Sequence, residues 1–338
     1  MTPKMPTPER IFETMNAFQR TQALGAAIEL DLFTAIGALG ATEEQIATAE
    51  SLGEKLGAAE RGVRILCDYL VVIGLLAKND GRYSLAPDAA VFLDRRSPAY
   101  MGTAARFLMS PGLKEAFGDV AGTVRRGGTS LDGQGTVEPN NPIWVEFARG
   151  MAPLVRPAAE FMAELAGEVK KVLDIAAGHG LFGIHVAKRS PSAEIYAVDW
   201  PAVLEVAREN AESAGVSKRL HSIPGSAFEV DFGDGYDVAL LTNFFHHFDK
   251  PTCVGLMKKV HRALGAGGRA LTLEFVPNDD RVTPPQPAAF SFIMLNTTPS
   301  GDAYTFAEYQ EMFREAGFTK SEIHQPPGLP QSVIQSFK

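Results

Sequence analysis

Apolar residues recur at helical spacing through the first hundred positions. Ile11, Phe12, Met15, Phe18, Leu24 and Ile28 keep a three- and four-residue rhythm that predicts a helix. Thr42 ahead of Glu43 and Glu44 is a helix-start signal. Val63, Leu66, Leu70, Val71 and Ile73 predict a second apolar helix. Gly74-Leu75-Leu76 then leads to the stretch Lys78–Leu85. There Asn79-Asp80-Gly81 is a hairpin turn between two short strand-like pieces. Helix, helix and a two-stranded wing make a winged-helix pattern. Residues 110–142 are rich in Gly, Pro and Asn and read as a loop or linker. A helix over Pro142–Leu165 is expected next, with Trp144, Phe147 and Met151 on one face.

From Val169 onward the rhythm changes. Short apolar runs at Lys171–Ala176, Ala193–Val198, Val238–Leu241 and Ala270–Phe275 predict strands. Helical stretches lie between them at Leu181–Lys188, Pro201–Ala214 and Thr252–Leu264. Such alternation predicts an α/β fold, a Rossmann-like doubly wound parallel sheet with helices on both faces. The expected division is a helical winged-helix domain at 1–105 and the α/β domain at 106–338.

Composition narrows the partners. The 338 residues carry a formal net charge of -8, so neither nucleic acid nor an anionic membrane is the expected partner. A winged helix can bind DNA or serve as a dimerisation module. Arg61 and Arg64 lie on the second helix, but an acidic, apolar-rich chain favours the second reading, because DNA affinity rests on phosphate contacts. Two cysteines, Cys67 and Cys253, make neither a disulfide framework nor a zinc site and fit a reducing cytoplasm. Residues 1–20 show no signal-like apolar run, and no stretch of about 18 apolar residues predicts a membrane span.

Candidate chemistry begins at Val172–Gly183, which joins the first strand of the second domain to a helix. Ligands in a doubly wound sheet bind just past the carboxyl ends of the strands. Gly178 and Gly180 let the backbone turn sharply and approach a ligand closely. Asp199 ends the next strand, where its carboxylate can accept from both ribose hydroxyls, and Pro201 suits the first helical position. Gly178, Gly180 and Gly183 also spell the dinucleotide fingerprint, so an NAD(P)-dependent oxidoreductase is a rival. Two details favour S-adenosylmethionine (SAM). Asp174 stands where dinucleotide folds usually keep an apolar residue, and two further residues widen the loop before its first glycine.

With the later segments added, the chain resembles the small-molecule O-methyltransferases of the plant caffeate/flavonoid type and their bacterial relatives. Asp174–Gly180 resembles the family's Asp-x-Gly-Gly-Gly-x-Gly loop, with Ala176 and Ala177 in place of two glycines. Val198-Asp199-Trp200-Pro201 resembles Phe-Asp-Leu-Pro, which implies the ribose role for Asp199 and an adenine contact for Trp200. Gly225-Ser226-Ala227-Phe228 resembles Gly-Asp-Met-Phe, with Ser226 replacing the aspartate that binds the adenine amino group. Asn243–Asp249 resembles the stretch holding the catalytic histidine, on which His246 aligns. The implied cofactor set is Ala176, Gly178, Asp199, Trp200, Ser226, Ala227, Phe228 and Asn243. The family also implies a SAM cofactor and a homodimer formed largely through the N-terminal domain.

Methyl transfer from a sulfonium is an in-line displacement. A hydroxyl nucleophile must lose its proton, and histidine suits that task. The resemblance assigns His246 as the base and Glu274 as the glutamate that orients it. The family's second glutamate falls on Ala303, so the usual pair is incomplete and an S-methyltransferase acting on a thioether or thiol is the alternative. Phe147 and Met151, one helical turn apart, match a Phe-x-x-x-Met pattern and are expected to line an apolar acceptor pocket with Phe290 and Met294. His246 and His247 are adjacent in the chain and have no carboxylate at ligand spacing, so no metal is expected.

Overall fold

The computed structural model describes residues 5–40 and 46–338; the expected helix start at Thr42–Glu44 lies outside them. The chain divides into two compact units, Met1–Met109 and Ser110–Lys338.

The first unit holds α1 (Glu9–Glu29), α2 (Leu32–Leu39), α3 (Ala49–Leu56), α4 (Glu60–Val72), β1 (Leu76–Asn79), β2 (Arg82–Leu85), α5 (Pro87–Phe92) and α6 (Gly102–Leu108). Thr48 and Ser51 form a capping box that starts α3. Val63, Cys67 and Leu70 bury one face of α4 against Leu32, Phe33, Ile36 and Leu52. Asn79 pairs with Arg82, leaving Asp80 and Gly81 as a two-residue turn, both in the left-handed region at φ 47° and 76°. That is the hairpin geometry whose twist matches the strands. α1 departs from expectation. Ile11, Phe12, Met15 and Phe18 are 57–66% exposed, and only Ala27 is buried.

The second unit begins with α7 (Pro111–Ala116) and α8 (Val120–Arg126). The expected loop over 110–142 is therefore partly helical. Its turn-forming residues cap helices: Pro111 starts α7 behind Ser110, Asp119 accepts from the Gly122 N–H at 2.9 Å, and Gly127 ends α8 at φ 76°. The expected continuous helix over 142–165 is two helices, α9 (Ile143–Met151) and α10 (Arg156–Ala166), separated by a 3-10 turn at Ala152–Leu154. Pro153 and Pro157 cannot donate to an unbroken helical ladder.

The remaining elements are β3 (Lys171–Ile175), α11 (Leu181–Arg189), β4 (Glu194–Asp199), α12 (Pro201–Ser213), β5 (Leu220–Pro224), β6 (Tyr236–Thr242), α13 (Lys250–Ala263), β7 (Leu264–Glu274), α14 (Pro285–Thr297), α15 (Phe306–Glu315), β8 (Lys320–His324) and β9 (Ser332–Phe337). They build a seven-stranded sheet of order β5-β4-β3-β6-β7-β9-β8. The first five strands in that order are parallel, and β9 runs antiparallel between β7 and β8. Both faces are covered. Leu173, Ile175, Ala239 and Leu241 enter one core, while Val172, Val238, Leu240 and Leu271 enter the other. β3 has β4 on one side and β6 on the other, so the winding reverses there. The carboxyl ends of these three strands thus open a crevice for a ligand.

Candidate active site

Past β3 the backbone turns through three left-handed residues, Ala176 at φ 53°, Gly178 at 59° and Gly180 at 72°. Glycine adopts this region freely, whereas alanine does so at a cost of about 1–2 kcal/mol. A Cβ at Gly178 would meet only the Ala176 carbonyl oxygen, at 3.8 Å, so the approach to this turn is open. The Gly178 N–H donates to Asp199 Oδ2 at 2.8 Å and the Trp200 N–H donates to Oδ1 at 2.7 Å. The β3 turn and the end of β4 are thereby tied together through one carboxylate. Burial pushes the Asp199 carboxyl up to about 6, while the two N–H donors pull the other way.

Asp174 lies beneath the loop and is fully buried. Its Oδ2 accepts from the Gly183 N–H at 3.1 Å, and Oδ1 has no partner. Burial, resisted by that one bond, pushes it up to about 8. A Cβ at Gly183 would sit 2.6 Å from Ile195 Cγ2 and 2.8 Å from Asp174 Oδ2, so the third glycine serves helix–strand packing.

A cavity of about 490 Å³ opens over these strand ends. Ala176, Gly178, Asp199, Trp200, Ser226, Ala227, Phe228 and Asn243 all line it. Asn243 follows β6 at φ 53°, and its N–H donates to the Leu273 carbonyl at 2.8 Å. Its Oδ1 accepts from Gln331 Nε2 at 2.8 Å, a partner the sequence did not suggest. Trp144, Phe147, Phe244, His247 and Phe248 add aromatic walls.

Gln134, Val137, Pro139 and Asn140 close another side. They come from the stretch read as a linker. Thr129 and Thr136 hold that stretch down by donating to the Asn296 and Thr297 carbonyls, at 2.6 and 3.0 Å, where α14 ends. The Pro139-Asn140-Asn141-Pro142 run was the available signal, and Asn140 indeed sits at φ 56°.

His246 and Glu274 are not among the cavity-lining residues. His246 is 3% exposed and lies in a short 3-10 turn after β6. Its Nδ1 is 2.5 Å from Oε2 of the fully buried Glu274, the last residue of β7. Glu274 Oε1 accepts from the Phe244 and Phe245 N–H groups at 2.9 and 2.8 Å. One carboxylate therefore fixes both the histidine ring and the backbone that carries it.

Of the four expected acceptor-lining residues, only Phe147 lines the cavity. The structure places Met151, Phe290 and Met294 outside that lining. Met294 is buried in α14. Phe290 stacks on Phe275, centroids 3.9 Å apart, and stands edge-on to His246 at 4.8 Å. Helical spacing gave these residues a face but not what that face meets. Ala303, at the second glutamate's position, is fully buried. Among the described residues, no group of three or more His, Cys, Asp or Glu is placed to hold a metal ion.

The O-methyltransferase domain model matches residues 155–319, and the O-methyltransferase dimerisation domain model matches residues 12–95. A solved structure from Nostoc punctiforme, assigned to the O-methyltransferases, is 50% identical with a TM-score of 0.95, covering 99% of this chain and 100% of that one. The chain belongs to the SAM-dependent O-methyltransferase family. Other members of this family resemble it along nearly the whole length. The 3-hydroxy-5-methyl-1-naphthoate 3-O-methyltransferase of Streptomyces sahachiroi is 29% identical over 93% of this chain and 90% of its own. PigF, solved with S-adenosylhomocysteine, is 25% identical with a TM-score of 0.84, covering 98% of this chain and 100% of that one. The present O-methyltransferase thus uses SAM as its cofactor. Its winged-helix segment coincides with the family's dimerisation domain.

Proposed function

We propose that this O-methyltransferase methylates a hydroxyl oxygen of a small, largely apolar or aromatic acceptor, with His246 as general base and Glu274 as its anchor. The observation that carries this is the 2.5 Å pairing of His246 Nδ1 with a carboxylate held by two backbone N–H groups. With Nδ1 engaged, Nε2 is the nitrogen left to take a proton. As the hydroxyl oxygen bonds to the methyl carbon of bound SAM, the carbon–sulfur bond would break with its electron pair left on sulfur, the hydroxyl proton would pass to His246 Nε2, and Glu274 would balance the imidazolium.

The residues present fit SAM. Asp199 offers a carboxylate to the ribose hydroxyls, Gly178 leaves room beside it, and Trp200 and Phe228 offer ring surfaces to the adenine. Ser226, Ala227, Asn243 and Ala176 complete that side of the cavity. Bound SAM supplies an electrophilic methyl on its sulfonium. Phe147 and Trp144 supply apolar surface for the acceptor.

A second reading has one observation in its favour. Ala303 brings no second carboxylate, and a thioether, or a thiol already ionised to thiolate, would need no base. Incubation with SAM labelled with carbon-13 at the methyl, across matched aryl alcohols, aryl thiols and thioethers, separates the two. An oxygen-bonded labelled methyl in the product spectrum is expected. Labelled product from the sulfur compounds alone would overturn the proposal.

We further propose a homodimer through the N-terminal unit. No single helix among the described residues is long and apolar enough to cross a membrane. Cys67 and Cys253 are buried free thiols, which supports a reducing, cytoplasmic setting as the place of action.

A further inference from the structure

His247 follows His246 in the chain, and its position gives it a role that the His246–Glu274 pair leaves open. It lines the cavity, yet the residue is only 8% exposed. Its Nδ1 is walled in and has no hydrogen-bond partner. The ring is fixed by neighbours: Trp144 meets it edge-on at 5.1 Å, and the His246 ring lies 4.3 Å away. Burial and the neighbouring His246 hold its imidazolium well below the ordinary range, so the ring is neutral. A neutral imidazole carries one N–H and one bare nitrogen. A buried N–H without a partner costs more than a bare lone pair in the same place, so the proton belongs on Nε2. With Nδ1 enclosed, Nε2 is also the atom through which His247 can meet a cavity occupant.

The surroundings select the kind of occupant. Trp144 stands beside His247, and the described residues that line the cavity include no lysine or arginine. A carboxylate buried there would lack a counter-ion. A carbonyl or ether oxygen could accept one hydrogen bond at no such cost. The His246 and His247 rings are immediate neighbours, centroids 4.3 Å apart, so the groups of an occupant that meet them must sit close together on it.

We infer that His247 donates a hydrogen bond through Nε2 to a neutral oxygen on the acceptor, adjacent to the hydroxyl that is methylated. The substrate class is therefore a hydroxy-aryl ketone or an aryl ether of the same pattern. This rests on the proposed oxygen methylation with His246 as base.

The test compares 1-hydroxy-2-acetonaphthone with 1-naphthol, which lacks the carbonyl. The wild-type enzyme should prefer the ketone by about tenfold in kcat/KM, the worth of one good hydrogen bond. His247→Phe keeps a flat ring against Trp144 but has no N–H, and should erase the preference. His247→Gln, whose amide nitrogen reaches the Nε2 position, should keep it. Calorimetry with SAM checks that each variant retains its fold. If the Phe variant loses SAM binding, His247→Asn replaces it: its amide stops short of Nε2, and the preference should vanish there while Gln retains it. A preference that survives in the Phe or Asn variant, or wild-type turnover of 1-naphthol at least as fast as the ketone, would overturn this inference and leave oxygen methylation standing. Turnover of neither compound, with SAM bound, would overturn both.

Discussion

Asp199 serves two demands that pull its charge in opposite directions. In the folded chain, burial raises its carboxyl from the ordinary 3.8 to about 6. Between those values the native state holds a proton that the unfolded chain has released. Its contribution to stability is thus present below the unfolded value and lost as pH rises through about 6. Ribose hydroxyls, by contrast, donate to the ionised form. SAM affinity is therefore expected to fall as pH drops through about 6, by roughly tenfold per pH unit below it. Calorimetric titration from about pH 5 to 7 checks this. Asp199→Asn should bind more weakly with the dependence flattened, and a flat wild-type profile would contradict the ribose role.

At the same scale, the residues proposed to meet the cofactor could be grouped from the sequence because each sits at a strand end or turn with its own local signal, and all of them line one cavity. Gln331 was not, since its bond to Asn243 spans 88 residues and is created by β9 pairing with β7. His247 was visible as a residue, but its unpartnered Nδ1 is a property of packing.

Among the elements, α3, α13 and α15 show how local chemistry fixes boundaries. Thr48, Asp249 and Thr305 each accept from a first-turn N–H. The buried parallel strands read clearly because both faces are apolar. β5 and β8 did not, because they lie at the sheet's edges with polar, partly exposed residues. The stretch 110–142 misled for a different reason, its glycines and prolines being helix caps.

The exposed stripe of α1 reads as an unfinished interface: Ile11, Phe12, Met15 and Phe18 face solvent within the family's dimerisation segment or at its edge. Sedimentation should find a dimer. Phe12→Glu combined with Phe18→Glu should shift it toward monomer, and a wild-type monomer or an undisturbed variant dimer would contradict the homodimer.

On the scale of the whole molecule, strand–helix alternation was enough to expect a doubly wound sheet with its site at the strand ends. The antiparallel β9, inserted between β7 and β8, lay beyond that pattern because pairing direction is set by tertiary contacts. The cavity's depth was also hidden. It depends on Gln134–Asn140 being pinned by Thr129 and Thr136 across more than a hundred residues of sequence.

The same sheet brings Glu274, at the end of β7, beneath the turn after β6, and this convergence is what gives His246 its anchor. The central claim is that His246 takes the acceptor's proton. Single-turnover methyl transfer, with wild-type enzyme and His246→Ala each preloaded with labelled SAM, tests it most directly. Loss of about 10²–10⁴ in rate for the variant, at unchanged SAM affinity, is the predicted result. Transfer at the wild-type rate without the imidazole would contradict it.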